Sequence, residues 1–331
     1  RIMGNGDSTS HDLNYSLHEF QPREEDFRLK NMRNQRIAIL DLGTNTFNLL
    51  VAERRNNDIY FLYREKAGVA FGSGSMQSKQ IPNEAVERAI DALNGFKQIA
   101  MQLECAEILA YSTAVLRNAE NQGLVQSKIE EATGIKVAIV SGEQEAKWIA
   151  FAALHGIENT NKSLVLDIGG GSVELIVIAS QKIINLASFP LGVTRLLEMD
   201  KWSDPLSDDD IFKIKAYCKL ICGDFLANQE IQTLIGTAGV FETLTAVMSD
   251  DFQGLEEPTS LEIIQLKAVL SSWIRSTSSE RNNWDNIIQV RRKALHIAAV
   301  LMTYIIEETS CENIIATPNS MAEGAALDYF N

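Results

Sequence analysis

Two acidic residues flank a glycine-rich turn in residues 166–177, LDIGGGSVELIV. Apolar runs on both sides predict two buried strands, the first ending at Asp167 and the second containing Glu174. Three successive glycines let the backbone come close to a ligand. Such a turn presents several N–H groups to one anion, and the flanking carboxylates suit a divalent cation or a water molecule. The stretch therefore predicts a phosphate site with an associated metal ion.

The same pattern occurs once before, in residues 40–51, LDLGTNTFNLLV. Aligned without gaps, Asp41 falls on Asp167 and Asn48 falls on Glu174, so only the second copy carries an acid there. Two copies more than a hundred residues apart predict two halves of similar topology, each opening with a hairpin whose turn faces a shared cleft. A third glycine turn, GTAG at residues 236–239, follows a predicted strand and begins a predicted helix.

The candidate ligands follow from these turns. The metal ligands that we predict are Asp41, Asp167 and Glu174. The phosphate-binding residues that we predict are Gly43, Thr44, Asn45, Thr46, Arg117, Gly169, Gly170, Gly171, Ser172, Gly236, Thr237 and Gly239.

A further carboxylate stands at the start of a predicted helix in residues 135–154. Ser141 is its predicted cap, and Glu143 and Glu145 lie in its first turn, where the helix dipole favours acids. These roles account for Glu143 but do not require Glu145, which leaves Glu145 as a candidate catalytic residue near the junction of the halves. Hydrolysis of a phosphoanhydride needs a positioned water, a proton acceptor and positive charge on the transferred group. Glu145 or Glu174 is the candidate acceptor, and the alternative is that both are caps or ion pairs.

Length and composition set broader limits. The 331 residues are 45% hydrophobic, enough for two domains with separate cores, and alternating strands and helices predict an α/β fold. The net charge of −14 makes duplex nucleic acid an unexpected partner. The four cysteines form no CxxC pair and are expected to be buried thiols. We expect no signal peptide and no membrane span, and we expect a cytoplasmic protein.

The predicted organisation has four parts. Residues 1–35 are polar and are expected to form a flexible arm. Residues 36–142 form the first domain and residues 143–317 the second, which carries the catalytic loop. Residues 318–331 form a closing helix that returns toward the first domain.

Six ordered motifs carry a resemblance that covers about residues 36–331: DLGTNTFNLLV, STAVLRNAEN, SGEQEA, LDIGGGSVELIV, PLGVTRL and GTAG. Together they resemble the exopolyphosphatase/guanosine pentaphosphate phosphohydrolase (Ppx/GppA) family, in a short form without helical, HD-like C-terminal domains. The resemblance implies two ribonuclease-H-like domains around a cleft, the fold of actin, Hsp70 and sugar kinases. Val173 and Ala322 depart from the family pattern, as do Val240 and Lys293.

The resemblance also implies a reaction. The family releases the terminal phosphate of inorganic polyphosphate, or the 5′ γ-phosphate of guanosine pentaphosphate, with Mg²⁺. It implies that Glu145 is the catalytic base, that Glu174 assists through water or metal, and that Arg117 binds phosphate. An ATP-dependent kinase or ATPase of the same fold, and a nucleotide-sensing module without turnover, are the alternatives. The sequence leaves open the choice of substrate and the oligomeric state, a homodimer included.

Overall fold

The structure is a computed structural model that describes residues 34–157, 161–227, 229–249, 251–285 and 287–331. Most of the predicted N-terminal arm, residues 1–33, lies outside the described residues. Its last two residues, Asn34 and Gln35, begin the first strand.

The first half of the chain alternates strands and helices up to the helix that carries Glu145. Its elements are β1 (Asn34–Leu42), β2 (Thr46–Arg55), β3 (Asp58–Gly68), α1 (Ser75–Ser78), α2 (Asn83–Gln102), β4 (Glu107–Ser112), α3 (Ala114–Arg117), α4 (Gln122–Thr133), β5 (Val137–Ile139) and α5 (Gly142–Gly156).

The second half repeats this alternation with longer helices. Its elements are β6 (Ser163–Ile168), β7 (Val173–Ala179), β8 (Lys182–Phe189), α6 (Val193–Met199), α7 (Asp208–Leu226), β9 (Thr233–Thr237), α8 (Ala238–Met248), β10 (Thr259–Leu261), α9 (Ile263–Arg275), α10 (Ser278–Asn282), α11 (Gln289–Arg292), α12 (Leu295–Thr309), β11 (Asn313–Ala316) and α13 (Met321–Phe330).

The two sheets of the described residues have matching strand orders. The first is β3-β2-β1-β4-β5. The second, read in the same direction, is β8-β7-β6-β9-β11, with β10 as an additional antiparallel strand beside β11. In each sheet three antiparallel strands are followed by parallel additions: β4 joins β1, and β9 joins β6. The repeat seen in the sequence is therefore a repeat of topology, and the predicted fold of two ribonuclease-H-like domains around a cleft is confirmed.

The central strands of both sheets are buried on both faces, which explains why they are largely apolar, whereas the edge strand β3 is mostly exposed. Along β1, Ala38 and Leu40 pack against α2 and α4, whereas Ile37 and Ile39 face the opposite way. The opposite faces of the two sheets share one core with α5 and α13. A separate core fills the outer face of the second sheet. Helices α5 and α13 thus lie between the sheets.

The domain boundaries after residues 142 and 317 stay predictions, because α5 and α13 belong to the core that both sheets share. Helices α11 and α12 are separate because Ala294 between them leaves the helical backbone region, at φ −116° and ψ 2°.

The four cysteines are free, as predicted: three are buried, and Cys105 is partly buried. Within the described part of the chain, no helix combines the length and the apolar character that crossing a lipid bilayer requires.

Candidate active site

The turns of the two repeated hairpins meet at the centre of the molecule. The Gly169 N–H closes its own turn by donating to the Ser172 carbonyl, at 3.0 Å. A Cβ added to Gly170 would lie 2.7 Å from the Thr44 Cβ, and one added to Gly171 would lie 3.0 Å from the Thr44 hydroxyl oxygen. The contact at Gly170 is closer than real Cβ contacts, so the approach of the turns requires glycine there; at Gly171 an added Cβ would also lie 2.8 Å from the Ala114 Cβ, which excludes a larger residue.

Asp167 and Glu174 are opposite each other in the second hairpin, on β6 and β7. The Thr237 hydroxyl donates to Asp167 Oδ2 at 2.9 Å, and the Ser188 hydroxyl donates to Glu174 Oε1 at 2.7 Å. Burial raises the pKa of Asp167 to about 6. Burial, and then repulsion from Asp167, raises the pKa of Glu174 to about 8. Both carboxylates are fixed by neighbouring strands, and their charges compete.

Asp41 occupies the equivalent place in the first hairpin, opposite Asn48. The Asn48 side chain donates to Asp41 Oδ2 at 2.9 Å. Burial is the largest effect on the pKa of Asp41, and with repulsion from Asp167 and Glu323 it raises that pKa to about 7. The ungapped alignment of the two repeats is thus reproduced by the strand registers.

Glu145 lies in the first turn of α5, where the Ser141 hydroxyl accepts from the Gln144 N–H at 3.1 Å. The Glu145 residue is only 7% exposed. Arg117 Nη1 donates to Glu145 Oε2 at 3.2 Å and to the Val140 carbonyl at 2.8 Å. Burial, followed by repulsion from Glu174, raises the pKa of Glu145 well above its ordinary value despite the Arg117 charge. Glu145 is therefore suited to accept a proton.

The cleft between the halves has a volume of about 440 Å³. Among the residues that the structure describes, acidic side chains outnumber basic ones on the wall of this cleft. The acids are Asp41, Glu65, Glu145, Asp167, Glu174, Glu242 and Glu323; the bases are Arg64, Lys66 and Arg291. A polyanion can enter such a cleft only if positive charge accompanies it.

Each of these three bases is already paired with an acid of the same wall. Arg64 donates to Glu323 at 2.8 Å. Lys66 and Arg291 both donate to the same oxygen, Glu242 Oε2, at 2.7 Å and 2.9 Å. The bases are therefore partly neutralised before any substrate binds.

Most of the predicted site residues line this cleft, and three do not. Those that line it are Asp41, Gly43, Thr44, Asn45, Thr46, Glu145, Asp167, Gly169, Gly170, Gly171, Ser172, Glu174 and Gly239. Arg117 lies behind Glu145 and lines two other cavities. Gly236 packs against the Phe241 ring, and the fully buried Thr237 supports Asp167.

Four charged residues of the cleft are not among the predicted site residues: Arg64, Lys66, Glu242 and Glu323. Lys66 and Glu242 are 176 positions apart in the chain, so no local spacing could reveal their pairing. Glu323 has a sequence signal, since it forms a capping box with Ser320 at the start of α13. Its contact with Arg64, however, depends on the return of α13 to the first sheet.

The donor set fits a magnesium ion. Within the described ranges, no three His, Cys, Asp or Glu side chains converge closely enough to hold an ion by themselves. Mg²⁺ usually takes one or two carboxylates and completes its shell with water and substrate phosphate oxygens. Asp167 repels both Asp41 and Glu174, and a divalent cation would relieve that repulsion.

Comparison with known proteins adds an independent observation. The model of the Ppx/GppA phosphatase family matches residues 50–330. An exopolyphosphatase from Cytophaga hutchinsonii is 26% identical in sequence and superimposes with a TM-score of 0.85; the match covers 89% of this chain and 98% of that one.

Two more distant structures share the fold. An exopolyphosphatase-like protein is 22% identical, with a TM-score of 0.82 and coverage of 90% of this chain and 98% of that one. The Aquifex aeolicus member of the Ppx/GppA family is 18% identical, with a TM-score of 0.73 and coverage of 89% and 97%. The likeness extends over nearly the whole length of each of these chains.

Proposed function

This chain belongs to the Ppx/GppA phosphatase family, and from that membership we propose that it releases the terminal phosphate of an inorganic polyphosphate or the 5′ γ-phosphate of guanosine pentaphosphate. The reaction is direct attack of water on the phosphoanhydride. The similar Cytophaga hutchinsonii protein is named an exopolyphosphatase, which supports polyphosphate as one substrate.

One observation carries this proposal: the buried Glu145 lines the cleft whose wall contains both glycine turns. A phosphate held by the N–H groups of the turns would present its phosphorus to a water near Glu145. The raised pKa of Glu145 brings its proton affinity closer to that of the attacking water in the transition state. Arg117 fixes the orientation of the carboxylate through Oε2.

Each neighbouring group has a role in the same step. Glu174, held by Ser188, orients the water or the metal from the opposite strand. Asp41 and Asp167 would hold Mg²⁺, which supplies positive charge to the transferred phosphoryl group when bound. Thr44 and Asn45 face the second turn and bind the oxygens of the terminal phosphate. The water oxygen bonds to the terminal phosphorus as the bond from that phosphorus to its bridging oxygen breaks. The proton of the water passes to Glu145, and the shortened chain, or the nucleotide left with a 5′ diphosphate, leaves with the bridging oxygen as an anion.

The test compares three substrates on the same preparation. Orthophosphate release from polyphosphate, guanosine pentaphosphate and ATP is measured with Mg²⁺, after chelation, and after Mg²⁺ is restored. We expect release from at least one of the first two substrates, loss of at least 95% of it on chelation, and recovery on restoration. Faster release from ATP than from both would favour the alternative ATPase and contradict the proposal.

A further inference from the structure

A basic groove lies behind the wall that carries Glu145. Its cavity has a volume of about 410 Å³, and we call it the back groove. The charged residues that line it, among those that the structure describes, are Lys79, Arg117, Arg195 and Glu120. Bases therefore outnumber acids here, whereas acids outnumber bases in the cleft.

Two of these bases are attached to the wall of the cleft. Arg117 is ion-paired with Glu145 at 3.2 Å, and Glu145 itself lines the cleft. Arg195 Nε donates to the Gly171 carbonyl at 3.2 Å, and Gly171 also lines the cleft. At these two points a residue that lines the back groove is in direct contact with a residue that lines the cleft.

The chemistry of the reaction gives this arrangement a use. Hydrolysis at a chain end produces one small anion, orthophosphate, and one long anion, the shortened chain. If both left through the cleft, the chain would have to release its contacts before orthophosphate could escape. A second way out, beside the catalytic carboxylate and lined by bases, would let orthophosphate leave first.

We propose that the back groove is a binding site for orthophosphate, through which the product leaves while the remaining chain stays in the cleft. This inference rests on the proposed function for its meaning, but the binding site itself can be measured without turnover. Arg117 binds orthophosphate as the orthophosphate moves away from Glu145. Lys79 and Arg195 then hold the orthophosphate in the back groove. The acidic wall of the cleft disfavours the return of the free anion.

Lys79 is the residue to change, because it is exposed and is not among the residues that line the cleft. The test variant is Lys79→Glu, and Lys79→Arg retains the charge. The matched control is Lys219→Glu, an exposed lysine on α7 that lines neither the cleft nor the back groove. The full chain is used throughout.

The first measurement is titration calorimetry of inorganic phosphate into the protein without substrate. We expect Lys79→Glu to weaken orthophosphate binding by about tenfold, since it replaces an attractive charge with a repulsive one. We expect Lys79→Arg and Lys219→Glu to bind within about twofold of the unchanged protein, a difference under 0.5 kcal/mol. Equal binding by all four proteins would overturn the inference.

The second measurement is inhibition of polyphosphate hydrolysis by added orthophosphate. Because chain and product have separate sites, we expect orthophosphate to reduce kcat at saturating polyphosphate, and we expect Lys79→Glu to weaken this inhibition without changing the KM for the chain. A raised KM with unchanged inhibition would show that the chain itself occupies the back groove, and the inference would be wrong. If no hydrolysis occurs but calorimetry shows the dependence on Lys79, the proposed function fails and the orthophosphate site stands.

Discussion

Gly324 in the closing helix α13 offers a sharp test of what positions α5, the helix that carries Glu145. A Cβ added to Gly324 would lie 1.7 Å from the Trp148 carbonyl oxygen and 2.3 Å from its carbonyl carbon. Trp148 is on α5, one turn after Glu145, and its indole N–H donates to Asp328 of α13 at 2.9 Å. The two helices are therefore in backbone contact at Gly324, and Gly324→Ala must separate them.

The size of the effect follows from that distance. Ordinary contacts between heavy atoms are about 3.5 Å, so the helices must part by about 1.5–2 Å. Overpacking of this kind typically costs about 1–3 kcal/mol. In a protein of this size, a loss of about 3 kcal/mol lowers Tm by about 4 °C. Because Glu145 moves with its helix, a misplacement of about 1 Å is expected to lower kcat by about 100-fold.

The assay combines thermal unfolding with the rate of orthophosphate release. The matched control is Gly95→Ala in α2, where a new Cβ meets nothing within 4 Å. We expect that control to keep its kcat and to gain up to about 1 kcal/mol of stability from the better helix propensity of alanine. If Gly324→Ala retained both the Tm and the kcat of the unchanged protein, the contact between the two helices would not position Glu145.

Two further predictions concern stability. Ala238 has a φ of +61° at the start of α8, so Ala238→Gly is expected to raise the free energy of unfolding by about 1 kcal/mol, measured with denaturant; a decrease would contradict the assigned strain. His296 is buried, and desolvation, with the Arg281 charge, lowers its pKa to about 4. As the pH falls from 6.5 to 4, His296 therefore binds a proton in the unfolded chain before it does so in the folded protein. Over this range the free energy of unfolding should fall by about 3 kcal/mol more in the unchanged protein than in His296→Leu. If the free energies of unfolding of the two proteins differed by the same amount at every pH, His296 would not be the cause of this pH dependence.

Much of the fold could be predicted because its signals are local. The strand runs at residues 40–51 and 166–177 repeat the same spacing, and the structure places Asp41 opposite Asn48 and Asp167 opposite Glu174 in equivalent registers. Ser141 caps α5 as the sequence indicates, because its hydroxyl accepts a hydrogen bond from the N–H of Gln144, three residues later.

The parts that could not be predicted depend on contacts between distant segments. Glu242 pairs with Lys66 from the first half and with Arg291 from a later helix, and nothing in their local sequence fixes these partners. Thr237 was expected to bind phosphate, but its hydroxyl turns toward Asp167 on the neighbouring strand. The packing of neighbouring strands determines where the Thr237 side chain points, and a glycine turn motif alone does not specify this.

Glu145 is the acceptor of the proton from water in the proposed reaction, and every other assigned role depends on it. The direct measurement is the single-turnover rate of orthophosphate release by Glu145→Gln, with thermal unfolding as a check of the fold. Its matched control is Glu143→Gln, which removes an exposed acid from the same helical turn, where it pairs with Lys147. We predict that Glu145→Gln lowers the rate by about 10³-fold with an intact fold, while Glu143→Gln stays within about twofold. A rate for Glu145→Gln above about a tenth of that of the unchanged protein would contradict the central claim.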